Sequence, residues 1–258
     1  MSIKVIGVLG TTNRQGITVQ MLENVLEGAK ARGCQVETIY LDAYSLKMGD
    51  AASNQTLDHL DQLARQADCL VLASPTYWSN VSGLMKQFLD CFHSKLVHFN
   101  KKGERLPGNY RGKSYILLTS CYTSKLANRF SGVTDQTFIT MNGPLQAAGM
   151  HRLAEAVCTG TFGLSALPQK KAALCQKIGQ QIPRRIEKGG FTLKRYIQLF
   201  FMLAITILIV MGVQKGLEAL HIIQLRHFWL NYLSFVILSY IFLSLMLRYF
   251  AVLKHRRS

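Results

Sequence analysis

The sequence predicts an α/β protein: a doubly wound, five-stranded parallel sheet followed by a C-terminal two-helix transmembrane hairpin. Three observations carry this. Short continuous apolar runs alternate with segments of helical period through residues 1–187. Each run ends in a polar turn, the arrangement of parallel strands joined by crossover helices. Two nearly uncharged apolar stretches then follow, bracketed by basic residues.

Residues 3–9 (IKVIGVL) read as a strand buried on both faces. After the turn 10–16, Thr18, Leu22, Val25, Leu26 and Ala29 share one helical face. Residues 36–41 form the second strand, and Leu57, Leu60, Leu63, Ala64 and Ala67 mark the second helix. Residues 69–74 (CLVLAS) are the third strand, and Val81, Leu84, Met85, Phe88 and Phe92 the third helix. Residues 115–120 (YILLTS) are the fourth strand. A helix interrupted at Gly143-Pro144 is expected over 133–148, a fifth strand over 153–158 and a closing helix over 168–187. Residues 95–113 carry six bases and one acid and read as a solvated basic loop, or as a contact for nucleotide phosphates or anionic lipid.

Residues 196–213 (YIQLFFMLAITILIVMGV) lack charge and, at about 1.5 Å per residue, match a bilayer's hydrocarbon core. Residues 228–250 hold one charge, Arg248, close to the end. Arg184, Arg185, Lys188, Lys194 and Arg195 precede the first stretch, and Arg248, Lys254, Arg256 and Arg257 end the second. The loop between has only Lys215 and Arg226. The positive-inside rule then puts the N-terminal domain and the C-terminus on the cytoplasmic side of a cell membrane, with two spans. The expected divisions are a domain over 1–187, a basic linker over 188–195, spans at 196–213 and 228–250, an external loop at 214–227 and a basic tail at 251–258. No N-terminal signal segment is read, because MSIKVIGVLG opens directly on a strand.

This organisation accounts for the composition. The chain has 258 residues, a formal charge of +16 and 49% hydrophobic residues. Disorder, collagen and coiled coil are excluded. Basicity raises nucleic-acid binding, but half of the charge flanks the apolar stretches and no recognition motif is present, so no nucleic-acid partner is expected. The six cysteines are scattered without a C-x-x-C pair and read as small buried hydrophobes. The histidines lack metal-ligand spacing, so no metal site is expected.

In doubly wound sheets ligands bind beyond the carboxyl ends of the strands. The loop after the first strand, GTTNRQGIT, leads into a helix N-terminus, where N–H groups and the helix dipole favour an anion. It has neither the Gly-Lys-Ser/Thr end of a P-loop nor the G-x-G-x-x-G fingerprint. A turn without a ligand is the alternative. The loop after the third strand, SPTYWSN, exposes two aromatic residues at the same edge, suited to a flat ring unless they fold back on the surface. Ser79 or Asn80 can cap the following helix.

Together GTTNRQGIT and SPTYWSNVSGLMKQFLDCF resemble the flavodoxin-like NADPH-dependent FMN reductase family. The matching residues are Gly10, Thr12, Arg14, Gly16 and Thr18, then Ser74, Pro75, Tyr77, Trp78, Gly83, Met85, Lys86 and Asp90. Ile17 stands where the family has Asn, and Cys91 where it has Arg. The segment LKMGDAASNQT lacks the cysteines of the iron–sulfur branch, so no cluster is implied. The resemblance implies a flavodoxin-like sheet of order 2-1-3-4-5. It implies FMN phosphate held by Thr11, Thr12, Asn13, Arg14, Gln15, Gly16 and Thr18. Pro75, Thr76, Tyr77, Trp78, Ser79 and Asn80 would meet the isoalloxazine ring, with Ser120, Cys121 and Tyr122 on its other side. NADPH or NADH would be the electron donor, a quinone-like or other small molecule the acceptor, and the lipid bilayer a partner; a homodimer is compatible. No catalytic acid or base is assigned, since the flavin carries the chemistry. A flavodoxin-type electron carrier and a non-enzymatic interaction module are the alternative readings.

Overall fold

The computed structural model describes residues 2–47, 51–187, 193–219 and 228–256, in two compact units, Met1–Gly190 and Phe191–Ser258. The first half of the larger unit runs β1 (Lys4–Leu9), α1 (Ile17–Lys30), β2 (Gln35–Tyr40), α2 (Ala51–Gln66), β3 (Cys69–Tyr77), β4 (Asn80–Val81), α3 (Gly83–Cys91). It continues through α4 (His93–Leu96), β5 (Val97–Phe99), β6 (Arg105–Pro107), β7 (Ser114–Ser120), α5 (Lys125–Ser131) and α6 (Asp135–Ala147). β8 (His151–Cys158), α7 (Gln169–Gln180) and α8 (Ile182–Glu187) close it.

The main sheet has the parallel order β2-β1-β3-β7-β8. This is the flavodoxin-like order. Alternation along each strand explains the continuous apolar runs. Ile6, Val8, Leu70, Leu72 and Leu117 face one core with Leu60, Met85, Phe88 and Phe138. Val5, Leu9, Val71, Ile116 and Leu118 face the other with Val25, Leu22 and Ile178. Helices cover both faces, so both sets must be apolar.

α1 and α7 pack at the backbone. A Cβ on Gly179 would lie 2.0 Å from the Val25 carbonyl oxygen, and one on Gly28 2.2 Å from that of Gln176. Only glycine fits at either position.

Several expectations need correction. The basic segment 95–113 is not a plain loop: β5 and β6 form a separate antiparallel pair. The interruption expected at Pro144 does not occur; α6 runs through it, since proline removes one donor while its carbonyl still accepts from Ala148 N–H at 3.0 Å. The closing helix divides at Gln181 into α7 and α8.

The smaller unit comprises α9 (Leu193–Ala219) and α10 (Phe228–Arg256), which pack on each other. Thr206, Val210 and Gln214 are buried at four-residue spacing. Gln214 Nε2 donates to Asn231 Oδ1 at 3.1 Å and to Ser234 Oγ at 2.8 Å. Among the described residues no helix is long and apolar enough to cross a membrane. The transmembrane hairpin expected over 196–213 and 228–250 is therefore not supported. The expected linker 188–195, loop 214–227 and tail 251–258 fall partly outside the described residues.

Candidate functional site

A cavity of about 600 Å³ lies beyond the carboxyl ends of β1, β3 and β7. Such a volume suits a mononucleotide-sized ligand. Its first wall is the loop after β1. Gly10 N–H donates to the Ala73 carbonyl at 2.9 Å, and the Gly10 carbonyl accepts from Ser82 Oγ. A Cβ on Gly10 would sit 2.8 Å from Met85 Cβ, so glycine lets α3 approach β1 here. Thr11 Oγ1 accepts from Asn13 N–H at 3.2 Å, and Asn13 Oδ1 from Gln15 N–H at 3.1 Å. These two side chains shape the turn. Gly16 precedes α1 and no side chain caps that helix, leaving its first turn to the cavity.

The second wall is a hairpin. β3 continues past Ser74 and pairs antiparallel with β4, Thr76 opposite Val81 and Tyr77 opposite Asn80. Trp78 and Ser79 form the two-residue turn at φ 51° and 62°. Hairpins favour such turns because their twist matches the strands, but they normally use Asn-Gly. Trp78 is fully exposed at the cavity mouth. A strained turn that holds an unburied tryptophan at a ligand-sized cavity points to a function for that ring. Replacing Trp78-Ser79 by Asn-Gly is expected to stabilise the fold by about 1 kcal/mol, raising Tm by roughly 2–4 °C. The same change should weaken binding of the FMN that the sequence resemblance implies about tenfold. Thermal melts and FMN titration read the two effects separately.

The third wall joins the ends of β7 and β8. Thr18 Oγ1 and Ser120 Oγ lie 2.7 Å apart, linking the first turn of α1 to β7. Cys121 N–H donates to the Cys158 carbonyl at 2.9 Å, Thr161 N–H to that of Cys121 at 3.1 Å and Gly160 N–H to that of Thr123 at 2.8 Å. Tyr122 and Phe162 meet edge to face at 5.7 Å.

Of the expected site residues, Thr11, Asn13, Gly16 and Thr18 line the cavity from the first loop. Pro75, Thr76, Tyr77, Trp78 and Ser79 line it from the hairpin, and Ser120, Cys121 and Tyr122 from the third wall. Thr12, Arg14, Gln15 and Asn80 do not. Arg14 turns outward: its Nη2 and Nε reach Asp42 at 2.6 and 3.2 Å, and its guanidinium lies 3.9 Å over the Tyr40 ring. Thr12 and Gln15 are exposed, and the Gln15 carbonyl accepts from Gln20 Nε2 at 3.0 Å. Asn80 Oδ1 is used by Val81 N–H and by Thr140 Oγ1, both at 2.8 Å. The cap of α3 is Ser82, which accepts from Met85 N–H at 3.2 Å, rather than Ser79 or Asn80, which belong to the hairpin.

Sequence reasoning missed Val133, Thr161, Gly163 and Leu164 in the lining. They follow α5 and β8 and carry no motif. Ile17, the departure from the family's Asn, lines the cavity while anchoring the α1 core. Its backbone stays in the first turn, and a polar side-chain contact is exchanged for packing.

Cys121 brings a thiol to the lining. Burial, reinforced by Cys158, pushes its thiol up, only partly opposed by its contact with Thr123. A raised pKa means less thiolate at neutral pH. Alkylation by iodoacetamide at neutral pH should therefore run slower than for a free cysteine. Alkylation as fast as that of a free cysteine would contradict this.

The remaining lining groups are hydroxyls, amides, aromatic rings and apolar side chains. Among the described residues no carboxylate, histidine or lysine lines the cavity. An uncapped helix N-terminus at one side and aromatic rings at another fit a phosphate-bearing planar ring. Among the described residues no group of three or more His, Cys, Asp or Glu could hold a metal ion.

Two curated proteins named iron-sulfur flavoprotein, both from Archaeoglobus fulgidus, are similar to this chain. One is 29% identical over 98 residues, covering 34% of this chain and 44% of that protein. The other is 24% identical over 174 residues, covering 64% and 81%. The chain thus spans less than half the length of the first. The NAD(P)H:quinone oxidoreductase from Methanothermobacter marburgensis superposes with a TM-score of 0.61 at 15% identity, covering 70% of this chain and 100% of that one. An FMN-dependent NADH-azoreductase from Bacillus anthracis gives 0.57 at 12% identity, covering 71% and 99%. At such identities these structures establish the fold alone. The NADPH-dependent FMN reductase family model matches residues 3–124, a segment that holds both wall-forming motifs.

Proposed function

We propose that this chain is an NAD(P)H-dependent flavin oxidoreductase that holds FMN in the cavity and passes electrons to a quinone-like or azo acceptor. The carrying observation is the cavity's make-up: an uncapped helix N-terminus, an aromatic hairpin and a lining of hydroxyls, amides and aromatic rings. FMN bound there would supply two-electron redox chemistry between NAD(P)H and the acceptor. The first turn of α1, with Thr18 and the turn shaped by Thr11 and Asn13, would hold the phosphate through N–H groups and the helix dipole. Tyr77 and Trp78 would meet the ring, with Ser120, Cys121 and Tyr122 on its other side. With a quinone the balance is NAD(P)H, a proton and quinone giving NAD(P)⁺ and hydroquinone. Detergent-purified full-length protein should show oxidised-flavin absorption that NADH or NADPH bleaches anaerobically and quinone restores. A protein that stays colourless after FMN addition overturns the reading.

We also infer that the C-terminal unit holds the flavin domain at the cytoplasmic side of a cell membrane. Phe201, Leu208, Met211, Trp229, Leu233 and Tyr240 are exposed on α9 and α10. Such an apolar surface is costly in water. Basic residues before α9 and at the end of α10 suit an anionic leaflet. The chain should stay with the membrane fraction through high-salt washing, and truncation after residue 187 should release it. Release of the intact chain by salt alone would overturn the inference.

A further inference from the structure

α5 is placed oddly for a helix. It is seven residues long, too short to stand by itself. None of its residues is buried. Both ends are tied by polar contacts instead. Ser124 Oγ accepts from Ala127 N–H at 3.3 Å. Asn128 Nδ2 donates to Thr134 Oγ1, and Thr134 N–H to Asn128 Oδ1, both at 3.0 Å. Gly132 closes the helix in the left-handed region at φ 64°.

These anchors hold up an apolar face rather than bury one. Leu126 is 69% exposed and Phe130 85% exposed. Their four-residue spacing puts them on one side of the helix. Thr123, just before the helix and its cap, and Val133, just after, both line the cavity, so α5 rides on the cavity's rim. Two further exposed rings stand at the cavity: Tyr122, itself a lining residue two positions before the cap Ser124, and Phe162, which lies between the lining residues Thr161 and Gly163 and meets Tyr122 edge to face.

We propose that α5 is a tail subsite. An acceptor with a hydrocarbon tail places its ring in the cavity and lays the tail across Tyr122, Phe162, Leu126 and Phe130. This rests on the quinone-like acceptor reading above and deepens it: the substrate class becomes lipid-soluble, tailed quinones. The position of α5 between the lining residues Thr123 and Val133 favours an occupant shared with the cavity over a second copy of the chain.

The test uses full-length, FMN-loaded protein in one fixed detergent. Two quinones of identical ring, one with a ten-carbon alkyl tail and one without, are compared for kcat/KM. The native chain should favour the tailed quinone by about tenfold, chiefly through KM. Leu126→Ser with Phe130→Ser should remove most of that preference while leaving the tail-less quinone, ferricyanide reduction and flavin content unchanged. Phe99→Ser serves as control, because Phe99 is an exposed aromatic on β5 outside the cavity. It should leave the preference intact. No tail preference in the native chain, or equal loss for both quinones in the double variant, overturns the proposal. So does an unchanged preference with a shift from dimer to monomer, which would assign the face to a second copy. Failure of the underlying reading has a different signature: neither quinone is reduced while ferricyanide still is.

Discussion

Thr18→Asp is expected to give a folded protein that cannot hold FMN. Thr18 is buried in the first turn of α1, with its hydroxyl 2.7 Å from Ser120 Oγ. Aspartate is close to threonine in size, keeps an oxygen for Ser120 to donate to, and sits favourably at a helix N-terminus. Stability should hold for these reasons. The cofactor's phosphate needs the same N–H groups and the same positive end of the dipole. A carboxylate about 4 Å from a phosphate at an effective dielectric near 20 costs about 4 kcal/mol. Discounting for side-chain adjustment, Kd for FMN should rise at least about 100-fold, or roughly 2.7 kcal/mol. Flavin fluorescence quenching measures Kd, and circular dichroism with a thermal melt verifies the fold. Thr18→Ser should bind as the native chain does. Binding of FMN by Thr18→Asp within threefold of native would place the phosphate elsewhere.

Gly179→Ala should be the most destabilising single-methyl change in the domain. The new Cβ would lie 2.0 Å from the Val25 carbonyl oxygen, 2.8 Å from Ala29 N and 2.9 Å from the Val25 carbonyl carbon. All three are backbone atoms of α1, so no rotamer change relieves the clash. The helices must separate, and Val25, Leu26 and Ile178 lose packing. Overpacking of this kind costs about 3 kcal/mol. In a domain of this size Tm should fall by roughly 6–12 °C. The damage reaches the site, because α1 carries the first turn of the cavity wall; FMN affinity should fall with stability and recover partly on cooling. Gly143→Ala is the informative contrast. It lies inside α6 with nothing within 4 Å of the added Cβ. It should change stability by less than about 1 kcal/mol, since alanine loses less entropy in a helix while its Cβ crowds the ring of the following Pro144. A Gly179→Ala protein melting within 2 °C of native, about the scale of 1 kcal/mol or less, would mean that α1 and α7 do not meet at the backbone.

Both expected results rest on the part of the molecule most legible in the sequence. Five apolar runs without polar alternation require cover on both faces, and periodic segments between them supply it. The order β2-β1-β3-β7-β8 came with the resemblance, not with periodicity. The loop GTTNRQGIT could be placed at a helix N-terminus because a strand and a helical face bracket it. Twelve of the sixteen expected site residues line the cavity, since loops at one sheet edge converge there whatever their detail.

The misplaced residues have a common cause. Arg14 was read as a phosphate ligand because its charge stands in an anion-binding loop. Its destination is Asp42, just past the end of β2, with Tyr40 beneath it. Asn80 was read as a ring contact, but Thr140 on α6 takes its side-chain oxygen. Each decision depends on a partner distant in the chain. The same holds for Thr161, Gly163 and Leu164, which reach the cavity because β8 lies beside β7.

Hydrophobic periodicity, glycine-bearing turns and charge placement thus determined the elements, the edge of the sheet that holds the cavity and the chemical class of its walls. These signals are local: a residue's neighbours within a turn or a strand suffice to express them. The tertiary structure alone decided which polar side chains face the cavity and which are spent on one another. It also decided that residues 74–82 close into a strained hairpin, and that α5 stands on the rim with its apolar face open. Those outcomes depend on which segments the crossovers bring together, and contacts across long loops leave no period in the sequence.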